Sequence, residues 1–282
     1  MKLRLAVVVL AAVWSPSPAL ATGHGPVYGL ATPTLGKGGW SLDVAVMDRE
    51  VGGRSMNMLR PMIAYGITED LQVSLSLPMP LHVPPGLPHG RSMAMMPSNP
   101  DVEALLGWRF HRSGTGVGAR FESTAYLGFD YPTDELRGGA RTSPGLYGAA
   151  VTGYASRKVY AWVGGLYRRY MTPASERADH PGDLAMYSAV LGYRPAFFRK
   201  DYPHADWRVF VELVGEYAKP DRIAGADVPK TGGHQVFIAP TLLGLYGKWG
   251  ISGGPAFRVY SDLNGNQPKD KVRLVVNFTR WF

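Results

Sequence analysis

Lys271 to Phe282 reads K-V-R-L-V-V-N-F-T-R-W-F, and its parity decides the fold. Val272, Leu274, Val276, Phe278 and Phe282 share one side of an extended chain, while Arg273, Asn277 and Thr279 share the other. Successive strand side chains point to opposite faces, so the spacing predicts a strand with one apolar and one polar face. One short alternation also fits the edge of a soluble β-sandwich. The rest of the chain decides between the two.

At the other end, Lys2 and Arg4 precede an apolar run from Leu5 to Val13 and the small-x-small triplet Ala19-Leu20-Ala21. That order is the signature of a cleaved secretory signal peptide over residues 1–21, with a mature chain starting near Thr22. The run is too short to span a bilayer as a helix. With no cysteine in the chain, neither a lipid-modified cysteine nor a disulfide framework is available. Removing Lys2 and Arg4 lowers the formal charge from +8 to +6, a modest excess that suits anionic lipopolysaccharide or solutes. An exported chain without a Lys/Arg-rich run does not fit nucleic acid.

Composition narrows the class further. The chain has 35 Gly, 15 Tyr, 10 Phe and 7 Trp, and no second long apolar segment. Its mean hydropathy of -0.09 is that of strands that average an apolar face with a polar one.

From Gly36 onward the sequence divides into about twelve alternating segments. The first runs from Trp40 to Met47, the second from Met56 to Tyr65 despite Arg60 and Pro61, and the third from Leu71 to Leu77. A loop over Asp48 to Ser55 separates the first two. Seven prolines between Pro78 and Pro100 predict a long loop without strand or helix. Val102 to Phe110 follows, then a turn over His111 to Gly116. Next comes a long alternation with Val117, Phe121, Leu127 and Phe129 outward and Arg120, Glu122, Thr124 and Asp130 inward. Further segments follow to Tyr260, with long loops after Tyr131, Met171 and Lys219 and a tight Gly247-Lys248 hairpin. Short turns and long loops alternate, and aromatics from Trp40 to Trp281 cluster at segment ends. The reading is an all-β fold, a transmembrane antiparallel up-and-down barrel of about twelve strands over residues 36–282. Residues 22–35 are expected to lie in the periplasm.

Three sets of residues carry candidate chemistry. The inward parity predicts that Asp43, Glu103, Arg109, Arg120, Glu122, Arg208, Glu212, Glu216, Arg258 and Arg273 face the lumen. They form either a charged constriction that selects solutes or ion pairs that fill the interior. Met79, His82, His89, Met93, Met95 and Met96 bring thioether and imidazole ligands suited to copper onto one loop, although their spacing matches no closed site. Otherwise no cofactor is expected. Asp179-His180, and His111 with Ser113, show neither a nucleophile elbow nor a base with its orienting partner, so no enzyme is expected.

The closing segment resembles the last strand of bacterial outer-membrane barrels, whose terminal aromatic is part of the signal read by the insertion machinery. Arg280 stands where an apolar residue is usual, and its long side chain can snorkel into headgroups. The layout also resembles outer-membrane transporters encoded near aromatic-degradation and metal-resistance loci. Gly36 to Trp40, Tyr65-Gly66-Ile67-Thr68 before Leu71-Gln72-Val73, and Asp101-Val102-Glu103 carry that likeness. It implies a passive pore or transporter for a small solute, in contact with outer-membrane lipid and lipopolysaccharide. The alternative is an outer-surface copper-binding protein on a barrel scaffold.

Overall fold

The computed structural model describes residues 25–82, 102–131, 144–171, 181–199 and 204–282. Fifteen strands follow in chain order. They are β1 (Trp40–Val51), β2 (Arg54–Gly66), β3 (Leu71–Ser76), β4 (Met79–His82) and β5 (Val102–Gly116), then β6 (Ala119–Tyr131), β7 (Gly145–Ala155), β8 (Val159–Tyr170), β9 (Leu184–Tyr193) and β10 (Asp206–Ala218). The last are β11 (Asp221–Ile223), β12 (Ala226–Val228), β13 (Gly233–Tyr246), β14 (Trp249–Leu263) and β15 (Asp270–Trp281). Thirteen of them form one antiparallel sheet. They make a closed barrel of twelve staves, because β3 and β4 lie end to end along β2.

The barrel closes where β15 meets β1, from Ser41 opposite Trp281 to Val51 opposite Asp270. The Phe282 N–H donates to the Trp40 carbonyl at 3.0 Å, so pairing runs to the last residue. Leu274 and Phe278 are exposed to the lipid side, while Arg273, Val275, Thr279 and Trp281 are buried inside. Arg280 also points outward. Its guanidinium lies 4.4 Å from the Trp249 ring centre and 5.6 Å from that of Phe282, a cation–π seat that accommodates the charge at the membrane boundary.

Several boundaries differ from the sequence expectation. The loop over Asp48 to Ser55 shrinks to Gly52-Gly53, whose φ of 56° and 78° supplies the two left-handed positions of a tight hairpin. The turn over His111 to Gly116 is instead strand, because β5 pairs with β6 through Gly116 opposite Ala119. The reversal falls on Val117-Gly118, and Val117 is 90% exposed rather than the first outward residue of β6. Within the proline-rich loop, β4 pairs with Leu59 and Asn57 of β2, its Pro80 at a register shift where a missing donor is tolerated. The Lys219 to Gly233 loop contains the small hairpin of β11 and β12.

One rim carries the tight turns at Gly66 to Leu71, Val117-Gly118 and Gly247-Lys248, together with both ends of the barrel. The 194–205 connection on this turn rim is long, and Gly52-Gly53 on the opposite loop rim is tight, so the short-long alternation is broken twice. Trp40, Tyr131, Tyr217, Tyr246 and Trp249 are exposed at strand ends, while Trp108 is exposed within β5, opposite Leu71. Tyr170 and Trp281, expected in the same belts, point inward and are buried.

Candidate functional site

The interior of the barrel is the candidate site, and its first occupant is the chain itself. The expectation that the N-terminal segment lies in the periplasm is overturned for residues 25–35, which run inside the barrel. Gly38 and Gly66 exchange backbone hydrogen bonds with their neighbours where this stretch crosses the turn rim: Gly38 N–H donates to the Gly66 carbonyl and Gly66 N–H to that of Gly39. A Cβ on Gly66 would lie 2.0 Å from the Gly36 carbonyl oxygen, so only glycine admits the crossing. Further in, Leu35 N–H donates to Gln72 Oε1 and Thr34 Oγ1 to the Glu69 carbonyl. Thr32 receives the Trp162 indole N–H at 3.0 Å, and its carbonyl accepts Thr124 Oγ1 at 2.6 Å.

The innermost anchor is a carboxylate. Glu212 of β10 accepts the backbone N–H groups of Val27, Tyr28 and Gly29 at 2.8, 2.7 and 2.7 Å, and also the Thr241 hydroxyl. Tyr28 then donates its own hydroxyl to the carbonyls of Gly254 and Arg273. Charge-assisted bonds of this kind are roughly twice as strong as neutral ones. The segment explains why one side of the interior is apolar: Tyr160, Trp162, Val190, Phe210 and Phe237 point inward and form a core with Tyr28 and Leu30. Burying each side chain of Leu or Phe size contributes about 1.5–3 kcal/mol.

The predicted lumen residues do face inward, and most are joined in ion pairs. Glu103 meets Arg60 at 2.7 Å and Arg168 at 3.7 Å, and Arg168 meets Asp130 at 2.8 Å. Arg109 bridges Asp70 at 2.7 Å and Glu122 at 3.1 Å, and Arg120 reaches Glu122 at 2.9 Å. Arg273, stacked 4.1 Å from the Phe237 ring centre, joins Glu216 at 3.0 Å and Asp270 at 2.8 Å. Arg208 pairs with Asp206 at 3.0 Å. Arg258 is half-buried, its Nη1 without a hydrogen-bond partner among the described residues. Between an ion-selecting constriction and a set of filling ion pairs, the geometry thus divides the charges by location.

Sequence reasoning missed Arg60, Arg168 and Asp270, and with them Asp70 and Asp206, the partners of Arg109 and Arg208. Arg60 read as a blemish in β2, yet it shares parity with Met58, Met62 and Ala64, the inward set. Asp130 was placed inward without a partner. Arg168 sits among the inward aromatics of β8, and Asp270 opens β15 at the loop rim. Only the position of the N-terminal segment would have marked the β8 face as interior.

A cavity of about 230 Å³ remains beside the segment. One wall is the segment, with Pro26, Val27, Ala31, Pro33 and Leu35; the other comes from β1, β2, β3, β5 and β15, with Asp43, Arg60, Gln72, Ser74, Glu103 and Asn277. Gln72 lies opposite Gly107, and Glu103 is four residues further toward the loop rim. The slot therefore extends about 13 Å along the barrel.

Of the copper candidates, His89, Met93, Met95 and Met96 lie outside the described residues. Met79 and His82 lie on β4, Met79 exposed, and no cluster of three or more His, Asp or Glu that could hold a metal occurs among the described residues. Asp179-His180 also lies outside them, while His111 and Ser113 are exposed on β5.

No family model matches the sequence, and no curated protein matches it. Among solved structures, the fold is similar to that of an outer-membrane channel from Pseudomonas putida F1, at 14% identity and a TM-score of 0.59 over 88% of this chain and 97% of that one. It is also similar to the NanC porin, at 9% identity and a TM-score of 0.52 over 85% of this chain and 98% of that one. What the chain shares with both is the fold of an outer-membrane β-barrel.

Proposed function

We propose that this protein is a bacterial outer-membrane passive pore or transporter for small solutes, exported through a cleaved signal peptide. The observation that carries the reading is the slot of about 230 Å³ running beside the N-terminal segment inside a closed barrel. A barrel built only as a scaffold has no need of it, since the opposite half of the same interior is packed to a dry core. The two similar folds, a channel and a porin by name, support the same reading. So does the resemblance to transporters encoded near aromatic-degradation and metal-resistance loci. The slot is smaller than the roughly 300–1,000 Å³ of drug-sized pockets, which limits the cargo to small solutes.

Purified protein reconstituted into planar bilayers tests this. Discrete current steps of small conductance are expected. Their absence at every voltage, together with no solute entry in liposome swelling, would rule the pore out.

A further inference from the structure

Near the loop rim, three buried donors have no acceptor within the chain. They are Gln235 Nε2 on β13 and Arg258 Nη1 and Ser261 Oγ on β14, each without a hydrogen-bond partner among the described residues. Gln235 is only 8% exposed. A buried donor left unmade destabilises a fold, and three on neighbouring positions call for an acceptor from outside the chain.

Strand register brings the three together. Gln235 lies opposite Ser261, and Phe237, the next inward residue of β13, lies opposite Arg258. Simple alternation would put Arg258 and Ser261, three residues apart, on opposite faces. A bulge prevents this: the register shifts between Val236 and Phe237, so Val259 and Tyr260 both turn outward, 59% and 48% exposed, and Arg258 and Ser261 both turn inward. Bulges re-aim side chains in this way, and the Cβ atoms of residues directly opposite lie about 5 Å apart.

The acids on the same side are already engaged. Glu216, opposite Gln235 on β10, accepts from Arg273 Nη1 at 3.1 Å and Nη2 at 3.0 Å, and Asp270 accepts from Arg49 Nε at 2.9 Å and Arg273 Nε at 2.8 Å. Arg258 enters no ion pair among the described residues. Ser261 also borders an open concavity at the loop rim, shared with Arg54, Asp262 and Lys269. Asp262 is exposed there, opposite His234 and out of phase with the inward set.

We propose that Arg258, Gln235 and Ser261 form a binding site for the carboxylate of a small organic acid at the loop-rim mouth of the barrel. A planar guanidinium offers parallel N–H groups matched to two carboxylate oxygens, and the amide and hydroxyl beside it add donors of the same polarity. Because the three face the interior, the site meets a solute in the mouth rather than a lipid beside the wall. Binding itself needs no current; the use of the site as a capture step for the passage rests on the pore reading above.

Calorimetric titration of the intact protein in detergent with succinate tests this, with dimethyl succinate as the uncharged probe. Saturable binding of succinate and none of the ester is expected. Arg258→Gln should weaken binding about tenfold or more, the loss that follows removal of a hydrogen bond to a charged group, and Ser261→Ala by a smaller factor. Arg258→Lys, which keeps the charge without the fork, should fall between the intact protein and Arg258→Gln. Arg169→Gln, which removes an exposed cation from the outward face of the same rim, should leave the affinity unchanged. No succinate binding, equal affinity in the Arg258→Gln and Ser261→Ala variants, or an equal loss in Arg169→Gln would overturn the site. Inorganic phosphate binding far more tightly than succinate would overturn its assignment to carboxylates. Bilayer currents report separately on the pore: succinate binding without current leaves the site standing and removes only its place in uptake.

Discussion

Glu212 shows how one side chain can be legible in sequence and still withhold its role. Its parity on β10, opposite Val211 and Leu213, places it inside the barrel, and it is fully buried there. Its partners are backbone N–H groups more than 180 residues away, which no local pattern encodes. Replacing it by Ala leaves three N–H donors and one hydroxyl without their acceptor, at about 1–3 kcal/mol for each group that water does not reach. Glu212→Ala is therefore expected to lower the temperature of the heat-modifiable shift on gels by at least about 5 °C, and Glu212→Gln, which keeps an acceptor oxygen, by less. An unchanged transition in the Ala variant would mean that the segment is anchored elsewhere.

At the scale of elements, what the sequence revealed and what it hid follow from range. β6 was legible because Phe121, Leu127 and Phe129 face lipid while Glu122, Thr124 and Asp130 face inward, a contrast that two solvents impose on every second residue. The inner face of β8 was not, because Tyr160, Trp162 and Leu166 face another piece of protein and so look like the outer face. The end of β5 was misread because glycines at 114 and 116 look like a turn, whereas only Gly118 takes the left-handed φ of 70° that reverses the chain. The loop rim of β8, β9 and β10 shows a device visible only in three dimensions. Just before β9, Asp183 accepts from Tyr167 Oη at 2.8 Å and from Lys219 Nζ at 3.0 Å, and its carbonyl takes the Lys219 N–H, stapling three strands. Partial burial pushes the Asp183 carboxyl up, but the hydrogen bonds from Tyr167 and Lys219 outweigh it and hold the group below its ordinary value. Lys219 is held above its own by Asp183 and Tyr167. A depressed carboxyl stabilises the fold above its unfolded pKa, about 3.9, and loses that contribution as pH falls through the lower folded value. A raised ammonium stabilises below about 10.4 and loses its contribution as pH rises through the higher folded value. The staple thus holds across the whole interval between. In Lys219→Met, carbon NMR of labelled protein in detergent should show the Asp183 carboxyl titrating at higher pH than in the intact chain; an identical midpoint would remove Lys219 from the staple.

For the whole molecule, the division of the interior into a packed half and an open slot makes the N-terminal segment both a core element and the inner wall of the slot. A barrel of twelve strands lies between those filled by side chains and those wide enough for an open aqueous channel. Here the difference is made up by chain from outside the wall, so the effective bore depends on residues 25–35 rather than on strand number. Deleting residues 25–34 removes one wall of the slot and the groups that Glu212 and Thr124 hold. It also uncovers Trp162, Val190, Phe210 and Phe237, costing about 1.5–3 kcal/mol for each large side chain opened to water. The barrel wall keeps every strand pairing from β1 to β15, so a heat-modifiable band should persist, shifted to lower temperature. Unitary conductance should rise several-fold, because the deletion takes away the inner wall of the slot and widens the bore. Conductance equal to that of the intact protein would show that ions do not pass along the segment, and the passage would then have to lie outside the slot.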